Sequence, residues 1–341
     1  MTNAVISHKK IDIHVHIVGN GDSGSGCVMS REFASGASYA AILDSLNVGP
    51  FEVNEDMIRE LLLDAVNSSE KVERCIVLAM DGVYKNSRFI EAETHLMTPN
   101  DYVARIAYEN ERILFGASVH PYRDRKEMLN ETERCLGAGA ALFSWAPSMQ
   151  RLDPEDDRCI PFYIRLAKEG VPLLCHTGVG FFAAPVDAKT AGNGSPGKLV
   201  KALDIGVKVI AAHCWPAFGA GAVPSDRYLD ELIAMLKIAE KRRWEFFADI
   251  SCFFTPEGLF YLERLKEEFD RGNIGADRLV YGSGFPFSPA PGEALFSVFA
   301  GRHLGRAKRN QLDERHAIAK NVGVPDSVFT NAWSVLRPLS Q

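Results

Sequence analysis

Short apolar runs alternate with amphipathic stretches along almost the whole chain. The runs 11–17, 73–80, 113–119, 140–145, 172–176, 207–213, 245–250 and 278–282 are short and rich in Ile, Val, Leu and Phe, as buried strands are. Between them, 55–67, 100–111, 126–137, 159–169, 197–204, 226–241 and 256–271 carry apolar residues at helical spacing, and Asn54 stands where it would cap the first of these. Strands that alternate with helices across short loops build a parallel sheet, and eight such units predict closure into a single-domain (β/α)8 TIM barrel over 1–341. Two further helical stretches, near 308–320 and 325–336, fall in a C-terminal region spanning 305–341. Segment 18–53 is too long for a plain strand-to-helix loop, so it is expected to fold over the barrel mouth as a lid-like insertion.

The first run, Ile-Asp-Ile-His-Val-His-Ile over 11–17, departs from a plain buried strand. Strict alternation would place Asp12, His14 and His16 on one face and the apolar residues on the other. Two imidazoles at that spacing can hold one divalent ion between them, or can stand solvated on an edge strand. The glycine-rich loop that follows, 19–26, lets the backbone turn sharply beside such a site. Active sites of barrels sit at the C-terminal ends of the strands. Those ends carry His14 and His16, Asp81, His120, His176, His213 and Asp249. One such histidine is commonly a hydrogen-bonded core residue, whereas several converging ones need a cation, a carboxylate or a substrate to justify them.

Composition narrows the class. The 341 residues are 46% hydrophobic and 24% charged, an ordinary globular balance with enough chain for a large core. A net charge of −6 argues against a nucleic-acid partner. Seven scattered cysteines without a CxxC pair suit a reducing compartment better than a disulfide framework. No run is long and apolar enough for a signal peptide or a membrane span, so the expectation is a cytoplasmic protein that acts on a small molecule, with homo-oligomers left open.

Four motifs together, DIHVH at 12–16, LLCHTG at 173–178, VIAAHCW at 209–215 and YGSGFP at 281–286, resemble the amidohydrolase superfamily. The similarity is greatest to its amidohydrolase-related branch, which includes carboxymuconate-semialdehyde-type and aromatic-acid decarboxylases. The resemblance implies one divalent metal, zinc by the habit of the family, held by His14, His16 and His176. It implies for His213 either a second-metal ligand or the group that polarises the attacking water. Two positions depart from the family pattern: Gly284 stands where strand eight usually ends in aspartate, and Ser144 where binuclear members carry a carbamylated lysine. With both anionic ligands gone, a binuclear centre is not expected. His213 is then the candidate catalytic base, with Asp249 or Asp81 as the carboxylate that reaches in to supplement it.

Secondary candidates complete the expectation. Asp12, read on the histidine face, either orients His14 or is a core carboxylate satisfied by backbone donors. Phe181 and Trp215 follow the site strands and either wall a substrate pocket or simply pack. Arg123 and Arg151 either clamp a substrate carboxylate or are solvated loop charges. Cys27 lies near the first strand with nothing marking it as a nucleophile. The resulting expectation is a metal-dependent hydrolase acting on a small organic acid, amide or lactone. The alternatives are a decarboxylase of an aromatic or unsaturated acid, and a barrel that binds a metabolite or partner without turnover.

Overall fold

The computed structural model describes residues 9–49, 53–178, 188–215, 227–251, 256–286 and 310–337. Eight strands form one sheet in sequential order: β1 (Ile11–His16), β2 (Arg74–Leu78), β3 (Ile113–Ala117), β4 (Leu142–Trp145), β5 (Leu173–Gly178), β6 (Val209–Trp215), β7 (Phe246–Asp249) and β8 (Leu279–Val280). Every neighbouring pair is parallel. The sheet curls round to meet itself, because Ile13 donates its N–H to Tyr281 O at 3.0 Å, Gly284 to His14 O at 2.9 Å and His16 to Phe285 O at 2.7 Å. This is the expected (β/α)8 barrel.

The helices follow from local signals. In α1 (Glu55–Ser68), Asn54 Oδ1 accepts the Met57 N–H, two acids sit in the first turn, and Ile58, Leu62 and Val66 recur every fourth residue on the buried face. The other crossovers are α2 (Asn100–Glu109), α3 (Arg125–Gly137, capped by Asp124), α4 (Ile160–Glu169), α5 (Val200–Ile205), α6 (Arg227–Arg242) and α7 (Pro256–Asp270). After β8 comes α8 (Gln311–Asn321). The helix expected over 325–336 divides into a 3-10 turn at Asp326–Phe329 and a short helix at Ala332–Val335.

Two cores result. The larger lies between strands and helices. The smaller fills the barrel with Ile11, Ile13, Ile76, Leu78, Leu114, Leu142, Leu174, Ile210, Ala212 and Val280, and Ala332, Val335 and Leu336 pack beneath it. The Trp333 indole donates to Lys9 O at 2.7 Å, which ties this C-terminal floor to the approach to β1. The apolar filling seals the lower barrel, so polar groups can only gather at the upper end.

Within segment 18–53, Val28–Met29 pairs antiparallel with Leu96–Met97, and short helices run over Arg31–Ala34 and Ala37–Leu46. The insertion reaches the barrel's upper rim, where Ser45 Oγ donates to Pro286 O at 2.9 Å. No described helix is long and apolar enough to cross a membrane.

Candidate metal and catalytic site

Two breaks in strand regularity assemble the site. In β1, Asp12 pairs with Cys75 and Val15 with Val77, so Ile13 and His14 together face the single residue Ile76. This is a bulge, which shifts the alternation by one residue. Ile11 and Ile13 lie in the barrel filling below it, and the His14 and His16 rings meet above it. The bulge corrects the alternation expected for this strand, because Asp12 does not share the histidine face. Its Oδ1 instead accepts the backbone N–H of His14 at 3.0 Å and of Ser283 at 2.9 Å. Asp12 thus accepts two backbone donors through Oδ1, its buried Oδ2 has no hydrogen-bond partner among the described residues, and burial raises its carboxyl to about 6.

The second break is in β6. Ala212 pairs with His176 and Trp215 with Gly178, so His213 and Cys214 oppose Thr177 alone. His213 adopts φ 46°, a left-handed conformation that costs a residue with a Cβ roughly 1–2 kcal/mol. Plain alternation from Ile210 and Ala212, both in the filling, would turn His213 outward. The kink brings its ring to the cluster instead, where Thr177 Oγ1 braces the bend by donating to Ala212 O at 2.8 Å.

Four imidazoles meet as a result. The His14 ring centroid lies 4.8 Å from that of His16, 4.6 Å from His176 and 5.7 Å from His213. His14 Nε2 and His16 Nε2 are 2.9 Å apart, and His176 Nδ1 and His213 Nε2 are 3.0 Å apart. One ligand nitrogen from each of His14, His16 and His176 lies within 4.8 Å of the others. Burial, reinforced by neighbouring imidazoles, holds His16 and His176 well below the usual histidine range and lowers His213 to about 3. All three are therefore neutral, the form in which imidazole binds metal. Among the described residues, His176 Nε2 and His213 Nδ1 are buried without a hydrogen-bond partner, an arrangement that costs free energy unless something else takes their lone pairs or protons. This donor set suits one zinc-like cation.

Asp249, at the end of β7, joins the cluster through His14. Its Oδ2 lies 2.6 Å from His14 Nδ1 and accepts Ser251 Oγ at 2.6 Å, while Oδ1 accepts the Ser251 N–H at 2.8 Å. This carboxylate, one of the two expected to reach in toward the site, is thus engaged at both oxygens. Ser251 Oγ also lies 3.0 Å from His14 Nδ1. Serine and aspartate share one ring nitrogen, so the three do not form a nucleophilic triad, which needs them on opposite nitrogens. Gly282 provides the room: a Cβ there would lie 2.5 Å from both Asp249 Oδ1 and His14 Cβ. Neither Ser251 nor Gly282 was found from the sequence. The one available signal was the spacing of Ser251, two residues beyond a strand-end aspartate.

Other candidates lie apart from the imidazoles. Arg123 forms a bidentate pair with Asp81, at 2.8 and 2.9 Å, and lies 4.5 Å over the Tyr84 ring. Its fork is therefore occupied by a protein carboxylate rather than open to a substrate, which corrects that expectation. Arg151 pairs with Glu93. His120 is buried and braces loops, accepting the Tyr122 N–H at 3.0 Å and lying 2.8 Å from Gln150 O. Burial pushes the Cys27 thiol up to about 12, so it is inert. Ser144 is buried on β4 at the level of Leu174, and Gly284 has φ 69°. Phe181 and the side chain of Trp215 lie outside the described residues.

Barrel and cluster together define an α/β barrel with a histidine-built centre at its upper end. A sequence model described as Amidohydrolase matches residues 11–300, and the chain belongs to this family. No curated protein matches it. Among solved structures, it is similar to 5-carboxyvanillate decarboxylase from Sphingomonas paucimobilis, with 13% identity, 98% of this chain and 100% of that one covered, and a TM-score of 0.57. It is also similar to an uncharacterised TIM-barrel protein from Bordetella bronchiseptica, with 16% identity, coverages of 95% and 99%, and a TM-score of 0.55. At these identities the likeness establishes the shared fold.

Proposed function

We propose that this amidohydrolase-family chain is a metal-dependent hydrolase of a small organic acid, amide or lactone, with one divalent ion, zinc by preference, on His14, His16 and His176. The observation that carries the reading is the buried, unpartnered His176 Nε2 among converging neutral imidazoles. A zinc ion bound there supplies Lewis acidity, polarising a carbonyl and acidifying water. The protein's own part is to hold the imidazoles neutral and oriented. His176 Nε2 can face a cation only when its ring proton lies on Nδ1 and is donated to His213 Nε2, 3.0 Å away, so neutral His213 carries its own proton on Nδ1 and serves as a donor that stabilises an oxyanion. Phe181 and Trp215 remain proposed as substrate-pocket walls.

Two other readings compete, one a different reaction and one no reaction at all. Both oxygens of Asp249 are engaged, so this carboxylate is not free to draw a proton from water, which favours decarboxylation of an aromatic or unsaturated acid over hydrolysis. Gly284, where the family pattern has an acid, favours binding without turnover. A panel of esters, lactones, amides and aromatic acids, read for acid release and for carbon dioxide, separates all three.

The metal reading is tested by elemental analysis of protein purified without added metal or chelator. The expected result is at most one tightly held divalent ion per chain, lost in His16→Ala while circular dichroism stays unchanged. Two tight zinc equivalents per chain, or unchanged occupancy in His16→Ala, would overturn it.

A further inference from the structure

We infer that Asp249 is a positioning residue that supplies, through the His14 ring, the negative charge on which cation binding at this centre depends. This inference rests on the metal reading proposed above. The Asp249 side chain is 0% exposed, and among the described residues its ion-pair partner is His14, itself 1% exposed. No lysine or arginine among the described residues balances it at its oxygens. A buried carboxylate whose one ionic partner is an imidazole is costly unless further positive charge lies close by.

The hydrogen bonds fix the direction of the effect. Asp249 Oδ1 accepts the Ser251 N–H and Oδ2 accepts Ser251 Oγ–H, so the carboxylate is a pure acceptor toward its own turn. The remaining contact, at 2.6 Å, has His14 Nδ1–H as donor. Imidazole carries one proton when neutral, so this bond leaves the lone pair on Nε2. That nitrogen faces the cluster, 2.9 Å from His16 Nε2. Asp249 thereby selects the tautomer, fixes the ring and makes Nε2 a stronger donor toward a cation.

The surroundings are shaped for this pair. Gly282 leaves the space that His14 Cβ and Asp249 Oδ1 occupy. Gly284, two residues further on, carries no charge, so within this group the ion's positive charge is offset from behind His14 rather than by a directly bound carboxylate. The arrangement carries a testable cost, because a buried charge held for a cation burdens the metal-free protein.

The experiment compares wild type and Asp249→Asn by zinc titration against a competing chelator and by thermal melting of the metal-free proteins. Asp249→Asn should bind zinc roughly 10–100-fold more weakly, while its metal-free form melts no lower than wild type. Zinc affinity within twofold of wild type would overturn the inference. So would a loss of affinity matched by an equal loss of metal-free stability, since a purely structural ion pair predicts that. If Asp249→Asn does not fold, Ser251→Ala keeps the carboxylate and removes one of its anchors. A several-fold loss of zinc affinity at unchanged melting supports the inference, and no loss overturns it. Wild-type protein that binds no zinc fails the metal reading itself and is measured first.

Discussion

At the scale of single residues, Gly282 shows how little tolerance the site has. An alanine there would bring its Cβ to 2.5 Å from His14 Cβ and Asp249 Oδ1, well inside van der Waals contact. His14 Cβ is fixed to a strand and cannot move without displacing the backbone, so the strain falls on the imidazole and its carboxylate. Gly282→Ala should therefore cost about 1–3 kcal/mol of stability, as overpacked cores do, and should weaken zinc binding. Urea denaturation and a chelator titration on the same preparation check both effects. A variant with wild-type stability and affinity would mean that strand eight yields at this point. No comparable constraint shows in the letter G of a GSG motif, because the neighbour that needs the space lies on another strand.

At the scale of elements, irregular strand geometry does what side-chain identity alone does not. The β1 bulge turns His14 into the site, and Asp12 holds the bulge by accepting the N–H groups of His14 and Ser283. Removing that acceptor in Asp12→Ala leaves two buried donors unpaired, at about 1–3 kcal/mol each. Asp12→Asn keeps a carbonyl oxygen in place and should lose much less. Chemical-denaturation midpoints of the two variants are expected to separate clearly, and equal midpoints would show that Asp12 does not hold the bulge. The loop after β1 has a similar brace. Glu55, at the start of α1, accepts the Ser23 N–H at 3.3 Å and the hydroxyls of Ser23 and Ser25 at 2.5 Å, so the glycine-rich stretch is tied to a helix rather than left to turn freely.

At the scale of the whole molecule, buried neutral histidines couple stability to pH. Burial lowers His120 to about 4 from 6.5, ahead of the opposing influence of Asp81. Below 6.5 the unfolded chain takes up a proton that the folded chain refuses, so stability falls as pH drops from about 6.5 to about 4 and levels off beneath that. The full effect is on the order of 3 kcal/mol. The site histidines His16, His176 and His213 are shifted the same way and add to the trend. Urea midpoints of metal-free protein should fall between pH 7 and pH 5, with a shallower slope in His120→Gln. Identical slopes would remove His120 from the account.

The barrel was legible in the sequence because it rests on local and repetitive physics. Eight apolar runs, spaced by amphipathic helices such as 55–67 with Asn54 before it, leave a parallel closed sheet as the arrangement that buries them all. The histidines that meet were also legible, since each lies at or beyond the end of an apolar run. Their mutual arrangement was not. Period-two alternation assigned Asp12 to the histidine face and would have turned His213 away. A bulge opposite Ile76 reversed the assignment of Asp12, and a left-handed kink opposite Thr177 brought His213 to the site where plain alternation would not have. Such breaks depend on which backbone groups neighbouring strands offer, and those neighbours are distant in sequence. For the same reason only the tertiary structure paired Arg123 with Asp81, placed Asp249 against His14, and made glycine at 282 a requirement of the space between them.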